Sequence, residues 1–172
     1  DAPRPFVDVV VTESEGGIGA SSSSRDACPP IGQVLEIAGS GSRVVMDAAR
    51  LLELQGHGDA SIAMSGQVGS QVKMKVASSW LIANVRTLCA GDEPGTVVAN
   101  VDFLGEGAQR SGGGLTGFRR GVTRYPIPGQ AILPVTTEDM RAIFAADDSP
   151  HVEIGTVYPT DDIRGTLYVD PM

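Results

Sequence analysis

Apolar and polar residues alternate over short stretches along most of this chain, and the stretches are separated by glycine and proline. Ile31-Gly32-Gln33-Val34-Leu35-Glu36-Ile37-Ala38 reads as a half-buried strand. Gly39-Ser40-Gly41 turns, and Arg43–Met46 reads as the return strand. Asp47–Gln55 fits a short helix, with Ala48, Leu51, Leu52 and Gln55 three and four residues apart; Leu51–Leu54 also fits a strand. Gly66–Val76 predicts a strand interrupted by glycine, with Lys73 and Lys75 on its polar face. Trp80–Cys89 predicts a long strand with Trp80 and Ile82 on one side and Leu81, Ala83 and Val85 on the other. Thr96–Leu104 follows after the Gly91–Gly95 turn, and Gly105–Gly117 reads as a glycine-rich loop. Gln130–Val135, His151–Pro159 and Leu167–Val169 read as further strands.

One segment stands out as helical. Thr136 or Thr137 is placed to cap, Glu138 and Asp139 sit in the first turn, and Met140, Ile143 and Phe144 form an apolar stripe ended before Pro150. The pattern totals roughly seven to nine strands with one or two short helices, without the spacing of parallel βαβ units. The expected fold class is all-β, a small closed or nearly closed β-barrel.

Composition sharpens this picture. Of 172 residues, 22 are glycine and 11 proline, which suits many turns and few long helices. Residues 1–30 contain Gly16-Gly17, Ser21–Ser24 and Pro29-Pro30, and read as a flexible or loosely docked N-terminal segment in which Val7–Val11 is the β-prone part. The expected ordered domain is 31–172. Cys28 and Cys89 are too few for a disulfide scaffold or a four-thiolate metal site, and two free thiols in a reducing compartment is the simpler reading. No apolar run approaches the ~20 residues of a membrane-spanning helix.

The net charge of −8 argues against a general nucleic-acid binder. Charge is unevenly placed, however. Residues 110–124 carry Arg110, Arg119, Arg120 and Arg124 with no acid, whereas residues 138–162 carry seven acids against Arg141. Such asymmetry suits contacts between subunits or with a partner. The interface candidates are Arg119, Arg120, Arg124, Glu138, Asp139, Asp147 and Asp148. Lys73 and Lys75 are candidate DNA-backbone contacts, although a solvated strand face accounts for them more simply.

Catalytic motifs are scarce. Ser111-Gly112-Gly113-Gly114-Leu115-Thr116 has the glycines of a phosphate loop but no lysine. His57 lies in a glycine-rich turn and His151 opens a strand, and neither has a ligand partner at metal-site spacing. No G-x-S-x-G elbow occurs. No catalytic, nucleotide-binding or metal-ligating residue is assigned, and no enzyme activity is expected of this chain by itself.

The stretch Gly117-Phe118-Arg119-Arg120-Gly121-Val122-Thr123-Arg124-Tyr125-Pro126 resembles the end of the N-terminal barrel of HerA-type DNA translocases. So do Pro128-Gly129-Gln130, Val135–Asp139, Ile143-Phe144-Ala145 and His151–Tyr158. Ile31–Val45 is similar to the opening strands of that barrel. The resemblance covers about residues 31–172, is concentrated in 118–158 and is thin over 46–110. It implies a cytoplasmic assembly and partner-docking barrel of a hexameric ring. That ring would pump double-stranded DNA with ATP and magnesium, alongside a NurA-type nuclease in end resection and repair. The chain stops at Asp170-Pro171-Met172, where the family approaches its P-loop ATPase domain, so the expectation is a barrel without its motor, binding no cofactor itself. The alternatives are a regulatory barrel of another hexameric ATPase and a stand-alone β-barrel binding module.

Overall fold

A computed structural model describes residues 28–39, 41–145 and 150–169. The expectations for residues 1–27, Val7–Val11 among them, and for Asp147 and Asp148 lie outside these residues.

Among the described residues, nine strands and three short helices follow one another. Strands β1 (Gly32–Ala38) and β2 (Gly41–Asp47) form a hairpin, followed by α1 (Ala48–Leu54) and α2 (Ala60–Ala63). Strands β3 (Gln71–Val76), β4 (Ser79–Ala90), β5 (Thr96–Gln109) and β6 (Leu115–Arg120) then meander. Strand β7 (Ala131–Pro134), helix α3 (Thr137–Ile143) and the strands β8 (His151–Thr156) and β9 (Arg164–Tyr168) complete the order. The main sheet runs β2-β1-β7-β3-β4-β5, and β2 pairs with β5 to close it into a six-stranded antiparallel barrel. The all-β barrel expected from the alternation is therefore the fold, with three short helices rather than one or two.

The long strand β5 organises the closure. One of its edges pairs with β4 over most of its length. The other edge is divided: Thr96–Asp102 pairs with β2, and Gly105–Gln109 pairs with β6. Strand β6 thus extends the wall beyond the closed ring. The sequence pattern ended β5 at Leu104 and read Gly105–Gly117 as loop, but β5 continues to Gln109. The glycines mislead there because they serve close packing. A Cβ on Gly105 would strike the Arg119 carbonyl, and one on Gly107 would lie 2.6 Å from Leu115 Cδ1.

The barrel interior is filled by Val34, Val44, Met46, Val72, Met74, Leu81, Ala83, Val85, Ala99, Val101 and Ile132. Leu54 of α1 and Ile62 of α2 join this core. The ambiguous Asp47–Gln55 stretch is a helix because Asp47 caps it, its carboxylate accepting from the Arg50 amide. The strand expected from Gly66 begins only at Gln71, and residues before it include α2, whose N-cap is Asp59.

A second core lies outside the barrel wall. Trp80 and Ile82 point outward from β4 and are buried with Leu115, Val135, Met140 and Ile163. Strand β4 is therefore covered on both faces from Trp80 to Ala83, where both sides of its sequence are apolar, whereas Arg86–Ala90 is exposed. Helix α3 supplies the cover. Thr136 caps it, accepting from the Asp139 amide at 3.1 Å, while Asp139 Oδ2 accepts from the Thr136 amide at 3.1 Å. This is a reciprocal capping box.

Strands β8 and β9 form a separate two-stranded hairpin. Its base is fixed to the body by buried Ile163, an Arg141–Asp162 ion pair and a contact of Tyr158 Oη with Met64 Sδ at 3.8 Å.

Candidate functional site

The charged candidates separate into a buried set and an exposed set. Lys73 lies on the outer face of β3, in register with Ile82 of β4. Helix α3 covers that face, so Lys73 is 7% exposed and its Nζ donates to Asp139 Oδ2 at 2.5 Å. The ammonium also sits 5.0 Å from the centre of the Trp80 ring. The reading of Lys73 as a solvated or DNA-facing side chain is thus corrected: period two put it on the right face, but α3 and the second core occupy that face. Asp139 is corrected in the same way. As the third residue of α3 its carboxylate turns into the wall, is 0% exposed, and accepts from the Leu115 amide at 2.9 Å as well as from Lys73. One carboxylate therefore joins β3, β6 and α3, and neither partner of this pair is offered to another molecule.

Glu138, one residue earlier, is exposed and accepts from Arg110 at 3.0 Å. Across the described residues, Arg43, Arg50, Lys73, Arg86, Arg110, Arg141 and Arg164 each pair with an acid of this chain. Asp139, Glu153 and Asp162 of the acidic stretch are all used in this way. Four cations of the described residues form no ion pair: Lys75, Arg119, Arg120 and Arg124, all exposed. These are three of the arginines singled out by the charge pattern, together with one of the two lysines.

Register places them. Arg119 lies opposite Glu106 of β5 and Arg120 opposite Gly105, so the two adjacent arginines face opposite sides of the wall. Arg124 lies in the connection from β6 to β7 and returns to the Glu106 side, where it lines a pocket of about 260 Å³ with Ser78, Ser79 and Thr123 over Val76 and Leu81. Glu106 is held there by Thr123, whose hydroxyl donates to Oε1 at 2.6 Å and whose amide donates to Oε2 at 3.2 Å. The Thr123 hydroxyl first and then the Thr123 amide hold the Glu106 carboxyl below the usual carboxylate range against an opposing effect of burial, with lesser help from the Arg124 amide and charge.

The sequence pattern gave no warning of the hairpin surface. His151–Pro159 alternates like a half-buried strand, yet every residue of β8 is exposed. Val152, Ile154, Tyr158, Leu167, Tyr168 and Val169 are all exposed, with Ile154 at 67% and Tyr158 at 75%. Val152 and Leu167 are cross-strand partners, and an irregularity between Glu153 and Gly155 leaves Ile154 without one. The hairpin is a sheet of its own, and among the described residues no further sheet lies over these side chains, which only tertiary structure reveals.

His57 is exposed and its Nδ1 accepts from the Asp59 amide at 3.0 Å. His151 opens β8 with its ring 6.0 Å from that of Tyr168. Among the described residues, no group of three or more His, Cys, Asp and Glu side chains is placed to hold a metal ion, and no helix is long and apolar enough to cross a membrane. No protein-family model matches the chain, and no curated protein matches it.

Proposed function

We propose that this chain is a protein-docking β-barrel module whose docking element is the β8–β9 hairpin. The observation that carries this reading is the concentration of exposed apolar side chains on a hairpin separate from the barrel sheet. Clustered apolar exposure of this kind marks interaction surfaces, whereas scattered single residues do not. Arg119 and Arg124, exposed on one side of the wall and without an ion pair among the described residues, add a local cationic surface, which suits selection of an acidic partner.

The resemblance of residues 118–158 favours one specific form of this module. In that form it is the assembly and docking barrel of a hexameric HerA-type translocase that drives double-stranded DNA with ATP and magnesium, and its partner is a NurA-type nuclease. Strand β8 lies at the end of that stretch, so part of the exposed apolar surface, Val152, Ile154 and Tyr158, falls in the most family-like segment. Co-purification of the chain with a NurA-type nuclease from the same genome tests this form. The wild-type chain should retain the nuclease. The double variant Ile154→Asp/Leu167→Asp should lose it while keeping its folded circular-dichroism spectrum and melting temperature. Failure of the wild-type chain to retain the nuclease would count against the translocase form. Retention by the double variant would remove the hairpin as the docking element.

A further inference from the structure

The pocket at the end of the barrel has an unusual inventory of polar groups. Its rim is built by the two-residue turn between β3 and β4, where Val76 pairs with Ser79. Ala77 opens that turn at φ 53°, the one non-glycine residue of the described set in the left-handed region. That position of a tight hairpin normally takes glycine or asparagine. Backbone held in such a conformation concentrates at binding sites. The turn sets Ser78 and Ser79 at the pocket rim, and neither hydroxyl has a hydrogen-bond partner among the described residues.

The opposite wall carries charge. The two oxygens of Glu106 accept from Thr123, which fixes that carboxylate as part of the wall. The Arg124 guanidinium lines the pocket without an ion pair. Arg119 lies across the strand pair from Glu106, on the same face. The pocket itself therefore offers one guanidinium group and two hydroxyls as donors beside a carboxylate already engaged, and Arg119 stands on the adjoining strand.

We infer that this pocket binds a carboxylate side chain of a protein partner, gripped by Arg124 in a two-bond fork, with Ser78 and Ser79 as further donors and Arg119 as the second cation. A guanidinium fork matches a planar carboxylate. The fixed Glu106 charge in the wall and a chain charge of −8 both oppose the repeated anions of a nucleic-acid backbone more than a single carboxylate. The inference rests on the reading of the chain as a docking module, but uses a surface distinct from the hairpin.

The test is a nitrogen-15 NMR titration of the whole chain with three probes: an acetylated Gly-Glu-Asp-Glu-Gly amide, its Gln/Asn counterpart, and a short double-stranded DNA. The acidic peptide should give saturable shifts of the Ser78, Ser79, Thr123 and Arg124 amides, with a dissociation constant of order millimolar for so small a ligand. The uncharged peptide should give none. Arg124→Gln should weaken binding about tenfold, and Arg124→Lys should recover only part of it, because the charge returns without the fork. Arg43→Gln, on another exposed cation, should change nothing. Arg124→Gln spectra that match wild type away from the pocket exclude misfolding as the cause, and Arg124→Lys serves where they do not. The assignment is overturned if the acidic peptide gives no saturable shifts, if its shifts spread evenly over all exposed cations, or if DNA shifts the pocket amides more strongly than the peptide. Absence of saturable peptide shifts in the wild-type chain, with an intact nuclease complex, overturns the carboxylate site alone. The reverse outcome overturns the hairpin reading alone.

Discussion

The β3–β4 wall of the barrel and the separate β8–β9 hairpin use similar sequence patterns to opposite ends. On β3 and β4, alternating side chains meet a helix: Ile82 and Trp80 are buried, and even the charged Lys73 is enclosed and matched by Asp139. On β8 and β9, the side chains of Val152, Ile154 and Leu167 lie under no covering helix among the described residues and remain exposed. The difference is one of layers. A strand pattern states which residues share a face, and the neighbouring element decides whether that face is dry.

The largest expected effect comes from breaking the dry face at its charge. Asp139→Ala would strand a buried ammonium and remove acceptors for the Leu115 and Thr136 amides. It should lower unfolding stability by about 3–5 kcal/mol in urea titrations. Lys73→Met in that background should recover part of the loss, since no uncompensated charge is then buried.

A second substitution pair sharpens the contrast directly. Ile82→Ala should cost about 2–5 kcal/mol, through lost burial and a cavity between wall and helix. Ile154→Ala on the hairpin should change stability by less than about 0.5 kcal/mol. Equal losses at the two sites, measured by denaturant titration, would erase the distinction between a covered face and an open one.

Asp59 supplies a smaller and pH-dependent tie behind the dry face. Its Oδ1 accepts from the Ser61 amide at 2.8 Å and the Thr137 hydroxyl at 2.6 Å, and its Oδ2 accepts from the Thr137 amide at 2.9 Å. It thus joins α2 to the start of α3. Burial pushes its carboxyl up, but the Thr137 hydroxyl and amide, with the Ser61 and Ile62 amides, together hold it below the ordinary carboxylate range. A carboxyl depressed in the folded state binds its proton more readily when unfolded. Its stabilisation is therefore present above the unfolded-state pKa and is lost as pH falls through the folded one. Asp59→Ala should cost about 1–2 kcal/mol at neutral pH and flatten the acid limb of the stability profile.

The smallest effect has the opposite sign. Ala77→Gly should raise stability by about 1 kcal/mol, because φ 53° strains an alanine and not a glycine. Thermal unfolding of the single variant checks it.

Much of the fold was legible. The alternation of Ile31–Ala38 and Trp80–Cys89, and the Thr136 cap with its acidic first turn, correspond to β1, β4 and α3. The misreadings share a cause. Gly105 and Gly107 look like turn residues but are close-approach residues within a strand pair. Ala60–Ala63 is too short for a periodic signal and forms a helical turn through its Asp59 cap. Lys73 was assigned to a polar face that a later helix covers. At the candidate site, the cationic cluster around Arg119 and Arg124 was visible as a charge pattern. The pocket was not, because Ser78, Glu106 and Thr123 are brought together only by pairing between β4, β5 and β6.

Closure of the barrel by β2 and β5 also bears on how the molecule avoids uncontrolled association. A closed ring offers no continuous template to which a foreign strand can add. The hairpin does have outer edges, but its register slips between Glu153 and Gly155, and the Glu153–Arg164 charges flank that slip. An irregular, charged edge is a poor seed for sheet growth. What the hairpin presents outward is its side chains, Val152, Ile154 and Leu167 among them, more than a regular backbone edge.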